Sequence, residues 1–240
     1  MKKLLSNIIF IFSIALVAFG CTRYDEYYRE YLKNGEIYYP GRIDSLSIIP
    51  GDRKGVLRLR MTTDPKVMSF KAFVRNSLSA NQTVLTFPVA PGDYGKIKEY
   101  TLENLEEATY TIDIRTYASE TDSSRSVTVS QFIYGQSYIN TLINRSFLSF
   151  NKTDPERPAA VFAREPNLPR VGTFYPMQFT EVKYTKKDGD VAVVAITPYE
   201  EYAFLPDIAT NTTVQYRTVY KPVNNSVDYF YTSYKEVVYN

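Results

Sequence analysis

From residue 41 onward, apolar and polar positions alternate in short runs. Over 56–61, Leu57, Leu59 and Met61 alternate with Arg58 and Arg60. On an extended chain that spacing puts the apolar side chains on one face and the arginines on the other. Over 68–75, Phe70, Ala72 and Val74 share a face in the same way. Comparable runs occupy 43–49, 83–89, 97–102, 109–117 and 126–134, broken by Pro50-Gly51 and Asp64-Pro65. Seven short strands with turn residues between them predict a β-sandwich.

The polar stretch 134–146 carries little strand pattern and reads as a crossover. Strand patterns then resume at 147–150, 160–163, 179–185, 191–196, 214–220 and 227–238, with a proline-rich loop at 165–170. Lys187-Asp188-Gly189-Asp190 between two of these runs predicts a hairpin, because Asp-Gly accommodates positive φ. The chain is therefore expected to be all-β, with a first sandwich over 41–135, a linker over 136–146 and a second sandwich over 147–240. Before them, Tyr24, Tyr28, Tyr31 and Leu32 recur at helical spacing, so 21–40 is expected to hold a short helix and linker. Ile112–Tyr117 (IDIRTY) echoes Val214–Tyr220 (VQYRTVY), with Leu105 and Leu205 each a little upstream. The echo puts Arg115 and Arg217 at equivalent points of two related modules and predicts a duplication.

The N-terminus has a different pattern. Lys2 and Lys3 precede a run, 8–19, that is apolar apart from Ser13. This is short for a spanning helix and suits a secretory leader. Ala18 and Gly20 then lead into Cys21, the only cysteine. The arrangement resembles the lipobox of bacterial lipoproteins, although Phe19 is bulkier than the usual residue there. The resemblance implies cleavage of the signal peptide 1–20 and a diacylglycerol thioether on Cys21, a covalent tie to a membrane. Thr22 in place of aspartate after the cysteine implies sorting to the outer membrane. Asp25 and Glu26 resemble the acidic tract of lipoproteins that face the cell exterior, with the periplasmic face as the alternative.

Composition narrows the chemistry. The chain holds 28 basic and 26 acidic residues, and without the two leader lysines the balance is 26 to 26. No basic stripe remains, so a nucleic-acid partner is not expected. With no histidine anywhere and no cysteine beyond Cys21, Ser-His-Asp and Cys-His nucleophilic arrangements are ruled out, as are histidine- or thiolate-ligated metals. Only carboxylate chemistry or a hard cation stays open, and no cofactor, metal site or catalytic residue is assigned.

The acidic pairs are poor catalytic candidates. Glu106-Glu107 reads as a solvated corner, and Asp188 and Asp190 belong to the hairpin turn. Glu200 and Glu201, being adjacent on an extended chain, point in opposite directions. Aromatic residues are plentiful, with 22 tyrosines and 14 phenylalanines but no tryptophan. By strand parity Tyr229 and Tyr231 share one face of the last strand, and Phe230, Thr232 and Tyr234 the other. The exposed face would offer either a sugar-stacking ladder or cross-strand tyrosine packing.

Two resemblances draw these readings together. LENLEEATYTIDIRTY resembles the E–F corner of fibronectin type III domains, which would give Leu105 and Tyr110 structural roles there. Gly35-Glu36-Ile37, Tyr39-Pro40-Gly41, Asp44-Ser45, Tyr134-Gly135, Tyr138, Leu142, Asn144-Arg145 and the run 216–232 resemble the "domain of unknown function 4998" family of Bacteroidota surface lipoproteins. Met61 departs from that pattern, where an aromatic is expected. The resemblance implies fibronectin type III/immunoglobulin-like modules on a lipid anchor. It suggests a non-catalytic accessory to nutrient uptake that binds a glycan or a surface protein. The alternatives are an adhesion or assembly subunit using sandwich edge strands and, more distantly, a carboxylate glycosidase.

Overall fold

The computed structural model describes residues 38–240; the leader, Cys21 and the helix expected at 22–34 lie outside the described residues. Two sandwiches follow one another along the chain. In the first, β1 (Ser45–Pro50), β2 (Gly55–Arg60) and β5 (Ile97–Leu102) form one antiparallel sheet. Facing it is the sheet β4–β3–β6–β7, made of Gln82–Pro88, Ser69–Asn76, Ala108–Tyr117 and Val127–Ile133. Leu57, Leu59, Phe70, Ala72, Ile112 and Ile114 fill the space between the sheets, on the faces that the alternation predicts. Met61 is fully buried in this core, so a thioether takes the space where an aromatic was expected.

The second sandwich repeats the order. Its smaller sheet is β12 (Tyr202–Phe204), β9 (Ala159–Phe162) and β8 (Phe147–Asn151). The larger runs β11 (Val191–Ile196), β10 (Met177–Thr185) and β13 (Thr212–Tyr220), and ends on β14 (Phe230–Tyr231) and β15 (Lys235–Tyr239). Three strands face four in the first module and five in the second, where the last strand is split into β14 and β15; in both, the first, second and fifth strands form the smaller sheet, which is the fibronectin type III arrangement.

Duplication extends to individual hydrogen bonds. Thr116 N–H donates to Ser124 Oγ, and Ser124 N–H to the Thr116 carbonyl. Thr218 N–H donates to Thr232 Oγ1, and Thr232 N–H to the Thr218 carbonyl. Both threonines are fully buried one residue after the echoed arginines. The modules differ at the corner. Tyr110 accepts the Glu106 N–H at 3.0 Å, closing the tyrosine corner expected of it. At the equivalent place Thr212 donates to the Ala209 carbonyl, and Tyr184 donates to the Pro206 carbonyl from the neighbouring strand.

The crossover is more structured than its polarity suggests. A short helix, α1 (Gln136–Thr141), occupies it. Glu107 accepts the N–H groups of Ser137 and Tyr138 at its start, so this carboxylate is a helix cap and not simply solvated. The modules then meet through a defined seam. Phe230 packs edge-on to Tyr134 and Tyr138, with ring centroids 6.0 and 5.1 Å away. Val227 N–H donates to the Pro50 carbonyl, and Asp228 accepts the Asp52 N–H while pairing with Lys54 at 2.9 Å.

Asn144 and Arg145, two of the residues that carry the family resemblance, are structural. Asn144 bridges Ser233 and Thr232. The Arg145 side chain is fully buried, with Nε 2.8 Å from the Ala163 carbonyl and Nη1 3.3 Å from that of Thr197.

Candidate ligand face on the second module

The expected last strand, 227–238, is broken. Tyr231 opposes Val219 and Phe230 opposes Tyr220, whereas Lys235 opposes Tyr216. The sum of paired numbers rises from 450 to 451, so one extra residue is inserted between the two segments: a β-bulge. Parity therefore inverts across it, and Tyr234 emerges on the face of Tyr231, not on that of buried Phe230 and Thr232. Tyr229, Tyr231 and Tyr234 are 44%, 39% and 37% exposed.

These tyrosines surround Arg217. Its guanidinium lies 4.2 Å from the Tyr231 ring centre and 4.6 Å from that of Tyr234. Strand register sets Glu181 opposite Arg217, and the carboxylate takes Nε at 3.2 Å and Nη2 at 3.1 Å. Tyr234 also donates to Glu181. Partial burial pushes the Glu181 carboxyl upward, but the Tyr234 and Arg217 hydrogen bonds outweigh it, leaving the group below the usual glutamate range. The site thus holds an ionised carboxylate and a guanidinium clasped between two rings. Lys221 sits 4.8 Å above Tyr229, whose other neighbour is Phe179. The echoed Arg115 does not reproduce this chemistry, because register sets Lys71, a like charge, opposite it.

Tyr234 also borders a groove of about 610 Å³ between α1 and the bulge, where Gln136, Asn140, Asn144 and Ser233 supply amides and a hydroxyl. A second exposed pair was not anticipated. The Tyr202 and Phe204 rings on β12 lie 6.5 Å apart with their planes nearly parallel, at 20°. The Tyr-Ala-Phe alternation was the available signal, in a run too short to stand out beside the acidic pair before it. That pair is not brought together for catalysis: Glu200 accepts the Thr197 N–H and hydroxyl. Asp188 accepts the Asp190 N–H within the hairpin turn, where Gly189 has φ +92°. Among the described residues, no group of three or more His, Cys, Asp or Glu could hold a metal ion, and no helix is long and apolar enough to cross a membrane.

Sequence comparison places the chain. Residues 21–230 match the profile of a family described as a domain of unknown function, number 4998. The chain belongs to this family. No curated protein is similar enough to count as a match. Among solved structures, this member of the 4998 family is similar to a two-domain fibronectin type III segment of chicken tenascin. The identity is 12% and the TM-score 0.33, over 82% of this chain and 98% of that one. It is also similar to the chicken CNTN1 FN1–FN3 domains, at 9% identity and a TM-score of 0.47, over 85% of this chain and 66% of that one. Strand order, and not these low-scoring likenesses, defines the fold of this 4998-family chain.

Proposed function

We propose that this protein is a non-catalytic lipoprotein of the outer membrane, tethered through Cys21, whose second module binds a glycan. The observation that carries the reading is the cluster of exposed Tyr229, Tyr231 and Tyr234 around Arg217, beside the amide-lined groove. Aromatic faces accept the apolar face of a sugar ring, and amides, hydroxyls and a guanidinium satisfy its hydroxyl groups. Among the described residues Arg217 Nη1 makes no hydrogen bond, which leaves a donor for a ligand hydroxyl. Exposed aromatic side chains are also concentrated in the second module, farther along the chain from Cys21 than the first. Display at a distance from the membrane fits capture of a polymer for an uptake system.

A glycan array with the chain 21–240 tests the proposal. Binding should fall about tenfold or more in the double variant Tyr231→Ala, Tyr234→Ala, as for aromatic anchors in other interfaces. Absence of binding to any polysaccharide would sink the glycan reading. A Cys21→Ser protein that still partitions with outer membranes would sink the anchor.

A further inference from the structure

Strand β11 has one paired side only, toward β10. Sheet edges are ordinarily blunted by charge, proline, a bulge, shortness or a covering element. Among the described residues the other edges follow that rule: β5 carries Lys98 and Glu99, β15 carries Lys235 and Glu236, β4 ends in Pro88, and β12 has three residues. The register of β8 shifts between Phe147 and Ser149, and β1 and β7 lie against each other. In contrast, β11 reads Val-Ala-Val-Val-Ala-Ile, with no charge, no proline and an unbroken register over all six residues. Val191 and Val193 are 60% and 56% exposed.

Hydrogen-bond phase shows what this edge can accept. Lys186 N–H donates to the Asp190 carbonyl at 2.8 Å. In an antiparallel ladder, bonded and non-bonded pairs alternate, so Ala192, Val194 and Ile196 bond to β10. The N–H and C=O groups of Val191, Val193 and Ala195 therefore point to the open edge, and their side chains lie on the outer face of the sheet. A second β11 running antiparallel meets this edge in register when Val193 opposes Val193 and Val191 opposes Ala195. All three residues then exchange both bonds, and the sheet faces stay matched.

We propose that β11 pairs with β11 of a second copy of this chain, joining two second modules into one continuous sheet. The two-fold axis runs through Val193, perpendicular to the sheet, so both tyrosine–arginine faces look the same way. Seven strand spacings separate β14 from its counterpart, or about 34 Å at about 4.8 Å each. The pairing goes beyond glycan binding and does not depend on it, yet it would present two ligand faces to one polymer.

The test uses the full chain carrying Cys21→Ser, so that an introduced thiol is its only one. Directly opposed bonded residues have Cα atoms about 5.5 Å apart, within disulfide range. Under mild oxidation Val193→Cys should form at least tenfold more disulfide-linked dimer than Val84→Cys, which places a thiol on the equivalent strand β4. Val193→Lys, which sets two ammonium groups face to face, should weaken self-association in sedimentation at least tenfold with an unchanged circular dichroism spectrum. Equal cross-linking at the two positions, or self-association indifferent to Val193→Lys, would overturn the proposal whatever the glycan array shows.

Discussion

Replacing Arg145 with alanine should cost the second module about 3–5 kcal/mol, the range for removing one member of a buried charged network. The guanidinium is fully buried, with Nε 2.8 Å from the Ala163 carbonyl and Nη1 3.3 Å from the Thr197 carbonyl. Nη2 reaches the Pro198 carbonyl at a long 3.5 Å, and Glu165 lies 3.8 Å from Nε. Burial pushes the guanidinium pKa down, with Glu165, Glu201 and Glu200 pulling it back up; arginine stays protonated through either influence. Truncation strands the two well-bonded carbonyls, at about 1–3 kcal/mol each if water does not reach them, and leaves Glu165 without its partner. Water entering the vacated space would lower the total toward the bottom of the range. Arg145→Met keeps most of the stem's volume but no donor, so it should recover only the packing part. Urea melts read the magnitude: at a slope of about 2 kcal/mol per molar, the midpoint moves down by about 2 M. Hydrogen exchange reads the location, with β8–β15 amides losing protection and those of β1–β7 keeping theirs. A cost under about 1 kcal/mol, or protection lost equally in both modules, would refute the assignment of Arg145 as the internal staple of the second module.

Other outcomes follow from the same geometry. Thr180 Oγ1 is buried with no hydrogen-bond partner among the described residues, so Thr180→Val should raise stability by about 1 kcal/mol in a urea melt. A Cβ on Gly51 would lie 2.4 Å from Asp228 Oδ2 and 2.7 Å from Val227 Cγ2. Gly51→Ala should therefore open the seam at a cost of about 1–3 kcal/mol, seen as faster proteolysis within 136–146. Burial raises the Tyr220 hydroxyl pKa from 10.0 to about 12, and that hydroxyl donates to the Ile143 carbonyl at 2.6 Å. The folded pKa lies above the unfolded one, so this contribution is complete below pH 10 and is lost as pH rises from about 10 toward 12. Its size is at most about 3 kcal/mol, and Tyr220→Phe should flatten that part of the stability–pH curve.

By itself the sequence determined the all-β class and nearly every strand, because period-two alternation is a local property that burial on one face enforces. Leu57 and Leu59 face inward and Arg58 and Arg60 outward as that rule requires. It also exposed the duplication, since the echoed Arg-Thr pairs fall on equivalent strands, and it marked Tyr110 as a corner residue. The absence of histidine restricted the chemistry before any geometry was known.

Tertiary structure alone decided where the candidate ligand face sits. A single inserted residue after Tyr231 turns Tyr234 to the opposite side, and no local pattern marks the bulge because both registers leave plausible side chains on each face. Arg115 and Arg217 look alike in the chain, yet one opposes Lys71 and the other Glu181, pairings that only cross-strand register creates. Likewise Glu107 caps a helix, and Arg145 serves three carbonyls that lie 18, 52 and 53 residues farther along the chain. Periodicity reports which side of its own strand a residue takes; what it meets there depends on partners brought close by folding.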